Sequence, residues 1–127
     1  MTATATALPV SAEGRWITAC LSERLMPERG VAVLLPNGDQ AALFRTHDGT
    51  LYAIDNIDPF SRAAVLARGI VGDRSGEPTV ASPMLKQIFS LRTGACLDVP
   101  EVRQRTYRVR EHGGRIDVRT HPDEAPQ

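Results

Sequence analysis

Few side chains in this 127-residue chain could hold a metal or activate a nucleophile, and their spacing limits what they could do. The soft metal ligands are His47, His112, His121, Cys20 and Cys96. His47 and His112 lie beside glycine turns, and His121 is near the C-terminal end. No C-x-x-C, C-x-H or C-x-x-H occurs. Zinc and iron–sulfur sites need such ligands converging at short spacing, so surface imidazoles and buried thiols are the favoured reading. Asp55 and Asp58 sit three apart before Pro59, where Asp-Pro starts a turn. Ser82 precedes Pro83 without the G-x-S-x-G frame of a nucleophile elbow, and no histidine is spaced to serve as its base. Gly69, Gly72 and Gly76 run G-x-x-G-x-x-x-G with no long helix after them. That pattern is a loop needing positive φ rather than a phosphate cradle. On residue types alone, the chain offers no catalytic residue, no cofactor-binding residue and no metal site.

Composition narrows the partners. Fifteen Lys and Arg balance fifteen Asp and Glu, with no long run of one sign. A phosphate-tracking nucleic-acid surface or a polybasic membrane patch needs clustered cations, so neither is expected. No apolar run is long enough to span a bilayer. Residues 1–13, rich in Thr and Ala, lack the charged and apolar regions of a secretory signal and read as a disordered leader. Two distant cysteines imply no disulfide framework, and a cytoplasmic location with reduced thiols is expected.

The elements that must carry the chain are short strands. Arg15 to Cys20 has strand residue types, and Ser22 could cap one helical turn before Pro27. Gly30 to Leu35 is a continuous apolar run and reads as a buried strand. Asn37-Gly38 signals a hairpin into Gln40 to Thr46. Asp48-Gly49 turns the chain again into Thr50 to Ile54. Ala63 to Leu66 fits either a brief helical turn or an irregular segment. Gly69 to Gly76 reads as a loop around a short Ile-Val strand. Pro78 to Ser82 and Gln87 to Leu91 read as strands around a second Pro turn, with Thr93-Gly94 after them. Arg105 to Glu111 alternates, and Gly113-Gly114 returns it as Arg115 to Arg119. Turn signals every ten to twenty residues predict an all-β sandwich or small barrel over 14–119, followed by a disordered tail at 120–127.

Two X-Pro tips stand out on this platform, Asn56-Ile57-Asp58-Pro59-Phe60 and Ala81-Ser82-Pro83-Met84-Leu85. The segment from Val80 to Gly94 resembles the second cluster-binding loop of Rieske proteins, V-x-C-P-x-H-x-x-x-F-x-L-x-T-G. Pro83, Phe89, Leu91, Thr93 and Gly94 match it. On that register Ser82 takes the cysteine position and Leu85 the histidine position. Asp58 and Phe60 take the same two positions in the C-P-H of the first loop. The wider pattern is similar to the small-subunit family of the cytoplasmic NAD(P)H-dependent nitrite reductases, over residues 14 to 119 and best over 52–99. It includes N-I-D-P-F, L-A-R-G-I-V-G-D and L-R-T-G-A-C-L-D.

The resemblance implies a Rieske-like small β-sandwich or barrel in a subunit of an enzyme that reduces nitrite to ammonium for nitrogen assimilation. The large subunit would carry FAD, an iron–sulfur cluster and sirohaem, and this chain no cofactor and no catalytic residue. A Rieske cluster uses two thiolates and two imidazoles. A carboxylate, a phenyl ring, a hydroxyl and an isobutyl group cannot replace them. Asp58 is expected to accept backbone N–H bonds in its own turn or to pair with Arg62, since a bare buried carboxylate is costly. Ile57, Phe60, Met84 and Leu85 would group at the tips, with Leu85 plugging the vacated space and Phe60 and Met84 more exposed. Ile57, Phe60, Met84 and Lys86 would contact the large subunit. The alternatives are a Rieske-type [2Fe–2S] electron carrier and a free-standing ligand-binding module.

Overall fold

The computed structural model describes residues 15–124, so the expected leader at 1–13 lies outside the described residues, as does the end of the expected tail. Among the described residues, ten strands form three antiparallel sheets. The first pairs β1 (Trp16–Leu21), β10 (Arg115–Arg119) and β9 (Val109–His112) in that order. The second runs β2 (Arg29–Leu34), β3 (Gln40–Arg45), β4 (Leu51–Asp55) and β8 (Thr106–Tyr107). The third runs β5 (Ile70–Arg74), β6 (Glu77–Ala81) and β7 (Ile88–Ser90). Among the described residues the only helical pieces are single 3₁₀ turns at Ser22–Arg24 and Leu66–Arg68. Among the described residues, no helix is long and apolar enough to cross a membrane.

The second sheet is the middle layer. Ala41 and Leu43 face a core shared with Ile116 and Val118 of the first sheet, and Ala42 and Phe44 face a core shared with Val80 and Phe89 of the third. Successive side chains of a strand point to opposite faces, so β3 is apolar at four consecutive positions because both its faces are covered. The doubly buried strand is therefore β3, and the apolar run from Gly30 to Leu35 is not one. β2 is the sheet's edge, where Val33 points inward but Leu34 is exposed. Gly30 is needed there, because a Cβ would stand 2.6 Å from the Ala67 carbonyl oxygen and 2.7 Å from Phe44 Cε1.

Other local expectations resolve in detail. The helical turn after β1 has no side-chain cap, and Ser22 Oγ has no hydrogen-bond partner. Ala63 to Leu66 is irregular, and the 3₁₀ turn begins only at Leu66. The Gly69–Gly76 stretch is mostly strand, with the reversal confined to Ser75-Gly76. The alternating run from Arg105 splits at Arg108, so that β8 joins the middle sheet and β9 the first. The polar stretch after β10 is tied down as far as Asp123. Thr120 is buried, and Asp123 N–H donates to the Thr106 carbonyl at 2.8 Å.

Candidate functional site

The two X-Pro tips are one turn built twice. In the first, Asp58 N–H donates to the Ala63 carbonyl at 2.8 Å and Arg62 N–H donates to the Asp58 carbonyl at 2.7 Å. In the second, Ser82 N–H donates to the Gln87 carbonyl at 2.9 Å and Lys86 N–H donates to the Ser82 carbonyl at 3.1 Å. Arg62 and Lys86 hold the equivalent positive φ, 68° and 65°. The opening side chain also caps the amide two residues on. Phe60 N–H donates to Asp58 Oδ1 at 2.8 Å, and Met84 N–H to Ser82 Oγ at 3.3 Å. The intervening proline has a preset φ and no donor to satisfy. The loop from Ser90 to Ala95 follows the same plan, with Gly94 at φ 82° in the left-handed position.

The tips meet through their opening residues. Ser82 Oγ donates a short hydrogen bond to Asp58 Oδ2, although the two are 24 apart in sequence. Both are shut off from solvent, at 0% and 1% exposure. Asp58 Oδ1 takes the Phe60 amide and, at 3.3 Å, the Ser61 amide. Three donors thus hold the carboxylate in place of a cation, as expected of backbone capping within the turn. The Arg62 side chain forms no ion pair among the described residues.

The roots of the tips are anchored by Asn56 and Gln104, whose role the sequence did not reveal, and by Asp55, read there only as part of a turn. Buried Asn56 donates to Gln40 Oε1 at 3.0 Å and accepts the Ala67 amide at 2.8 Å. Gln104 Nε2 donates to the Asp55 and Ile57 carbonyls at 3.1 and 2.6 Å. Asp55 is the hub beside it. It accepts Arg105 Nε at 2.9 Å and Tyr107 Oη at 2.7 Å. Burial, and then this hydrogen bond to the carboxylate, push the Tyr107 phenol above its ordinary range. A polar residue inside an apolar pattern was the available signal for Asn56, but its partners are remote in sequence.

The apolar tip residues divide differently from the expectation. Phe60 turns inward onto the second core, its ring centroid 6.3 Å from that of Phe89. Leu85 is 54% exposed and plugs nothing, because the Asp58–Ser82 contact already closes the gap. Met84 and Ile57 are exposed at 51% and 43%, and Lys86 is exposed.

A [2Fe–2S] cluster does not fit these residues. Two of the four ligand positions are occupied with bonding each other, the third packs on Phe89 and the fourth faces solvent. Neither thiol stands at a ligand position. Cys96 is buried in the second core, and Cys20 packs on the first, where burial raises its thiol pKa. His112 bonds Asp117, and His121 bonds Thr120. His47 borders a separate cleft of about 470 Å³ lined by Glu28, Asp48, Tyr52, Asp73 and Arg92, a mixture of both charges. Among the described residues, no three His, Cys, Asp or Glu converge on a metal position.

Residues 15–119 match the family described as the Rieske-like [2Fe-2S] domain. The class defined by fold and site together is a Rieske-like domain whose ligand positions hold no cluster-ligating side chains. Its relatives are more specific. The nitrite reductase (NADH) small subunit of Escherichia coli K12 is 38% identical over 106 residues, which is 83% of this chain and 97% of the relative. The crystal structure assigned to an NADH-dependent nitrite reductase small subunit from Mycobacterium tuberculosis is 51% identical, with a TM-score of 0.80 over 88% of this chain and 97% of that one. The nitrite reductase [NAD(P)H] large subunit of Klebsiella oxytoca contains a segment 39% identical over 103 residues, 81% of this chain but 11% of that protein. The chain belongs to the nitrite reductase small-subunit family.

Proposed function

We propose that this chain is the small subunit of a cytoplasmic NAD(P)H-dependent nitrite reductase that reduces nitrite to ammonium. It acts by docking on a large subunit that carries FAD, an iron–sulfur cluster and sirohaem. It supplies no catalytic residue and no redox centre of its own. The observation that carries this reading is the closed pair of tips, in which Asp58 and Ser82 bond each other where two cluster ligands would stand. The fold's cluster end is kept, but as a hydrogen-bonded surface from which Met84, Leu85 and Ile57 project. The Klebsiella relative supports the partner, since a similar segment there belongs to a chain named as the large subunit. Docking through Ile57, Phe60, Met84 and Lys86 follows, with half-buried Phe60 supporting the others from below.

The test is reconstitution. Purified large subunit should oxidise NAD(P)H with nitrite faster or more durably when this chain is added, and the two should co-purify. The chain alone should bind neither iron nor acid-labile sulfide. Stoichiometric iron and sulfide with a visible charge-transfer spectrum would overturn the cluster-free reading in favour of an electron carrier. Failure of the two chains to associate would overturn the subunit reading.

A further inference from the structure

We infer that the outward face of the β5–β6–β7 sheet, continuous with the second tip, is the surface on which the large subunit seats, through an apolar strip with a basic rim that meets carboxylates of the large subunit. This rests on the subunit reading above and names the contact face. Strand register defines that face. Val71, Val80 and Phe89 form one cross-strand row and point into the second core. The neighbouring row, Ile70, Ala81 and Ile88, therefore points the opposite way. Leu97 N–H donates to the Ile88 carbonyl at 2.8 Å and extends this row by one more apolar side chain. None of the four belongs to either core, and Ile70 is 75% exposed. The row is the last one before the tip that carries Met84 and Leu85, so the apolar strip runs from the sheet onto the tip. A soluble domain does not gather such side chains on one surface without a use for them.

Charge names the partner's chemistry. Residues 59–72 and 81–97, which follow Asp58 in the first tip and build this row and the second tip, contain no Asp or Glu, and Asp58 itself is buried. They carry Arg62, Arg68, Lys86 and Arg92. Arg92 is paired with Glu77, but Arg62, Arg68 and Lys86 form no ion pair among the described residues. The chain is neutral overall, so this end is locally positive. Two copies of the chain meeting through this face would set cations against cations, which opposes self-pairing. An acidic rim on the large subunit complements it. The Klebsiella relative, which holds a similar segment within a large-subunit chain, shows that such a domain and a large subunit can share one polypeptide.

The experiment measures binding of the full chain to separately purified large subunit. Ile70→Asp should weaken affinity at least about 10-fold and Ile70→Ser about 3-fold, as truncation of an interface anchor does. Lys86→Glu should slow association, with the difference shrinking as salt is raised. Leu21→Asp is the control, because Leu21 is exposed on β1 over the other core. Its affinity should match the unaltered chain. Melting curves identify any unfolded variant, and Ile70→Ser then carries the test. Unchanged affinity in folded Ile70→Asp or Ile70→Ser overturns the proposal, as does an equal loss in Leu21→Asp. A chain dimer broken by Ile70→Asp in sedimentation would assign the face to a second copy and overturn it as well. No binding by the unaltered chain would instead overturn the subunit reading itself.

Discussion

Replacing Asp58 by Ala removes the acceptor on which the two tips converge. Three donors lose their partner: the Ser82 hydroxyl and the Phe60 and Ser61 amides. A buried hydrogen bond to a charged group is worth about 1.5–3 kcal/mol, and a stranded buried donor costs a similar amount. Ser82 is sealed from water, so its loss counts nearly in full, at about 2 kcal/mol. The two amides lie in part-buried turn positions that water can reach, so they add about 0.5–1 kcal/mol each. The sum is about 3–4 kcal/mol, a large share of the roughly 5–15 kcal/mol that stabilises a domain. At about 4–6 °C per kcal/mol, the melting temperature should fall by about 12–24 °C. Ser82→Ala breaks one of these bonds and should cost about 2 kcal/mol. Both single variants lose the Asp58–Ser82 bond, so the double variant should cost less than their sum by about 1–2 kcal/mol. Asp58→Asn can still accept both amides and donate to Ser82 Oγ, so it should cost under about 1.5 kcal/mol. Urea unfolding, followed by far-UV circular dichroism and the fluorescence of Trp16, measures all four. A coupling within about 0.3 kcal/mol of zero, with Asp58→Ala costing less than about 1 kcal/mol, would show that this bond does not clamp the tips.

Phe60→Ala should cost about 2 kcal/mol because the ring packs on Phe89, while Leu85→Ala should stay within about 0.5 kcal/mol. Thermal melts giving the reverse order would reinstate Leu85 as the plug. Gly94→Ala would place a Cβ 2.0 Å from the Gln104 carbonyl oxygen and should cost more than about 2 kcal/mol, whereas Gly76→Ala has open space and should cost only the left-handed strain of about 1 kcal/mol. Equal losses in the two melts would refute the close approach at Gly94. Asp117 is pushed up by burial, but hydrogen bonds from His112, Thr18 and Arg110 outweigh this and hold its carboxyl below the ordinary range. A depressed folded-state value means that its stabilisation is present above the unfolded value of about 4 and is lost as pH falls through the folded value. The melting difference between the unaltered chain and Asp117→Asn should therefore be full at pH 6 and shrink as acid is added below about pH 4. A difference that stays constant down to pH 2 would refute the assignment.

Local chemistry made much of this chain legible in advance. Asn37-Gly38 and Gly113-Gly114 announce hairpins because turn geometry demands positive φ there, and Gly38, Gly113 and Gly114 adopt it. Pro59 and Pro83 likewise mark the two tips, and the absence of cysteine and histidine from 58, 60, 82 and 85 is a matter of residue type alone. Facing and partnership were not legible. Whether Phe60 or Leu85 turns inward depends on what fills the space between the tips, and a bond spanning 24 residues decides that. The outward-facing row from Ile70 to Leu97 exists because register sends Val71, Val80 and Phe89 into the core, and a shift of one residue would reverse both faces. The apolar runs at Gly30–Leu35 and Ala41–Phe44 look alike as strings. Only their places, one at an edge and the other between two cores, expose Leu34 and bury Phe44, because burial is set by what covers a strand and not by the strand's own composition.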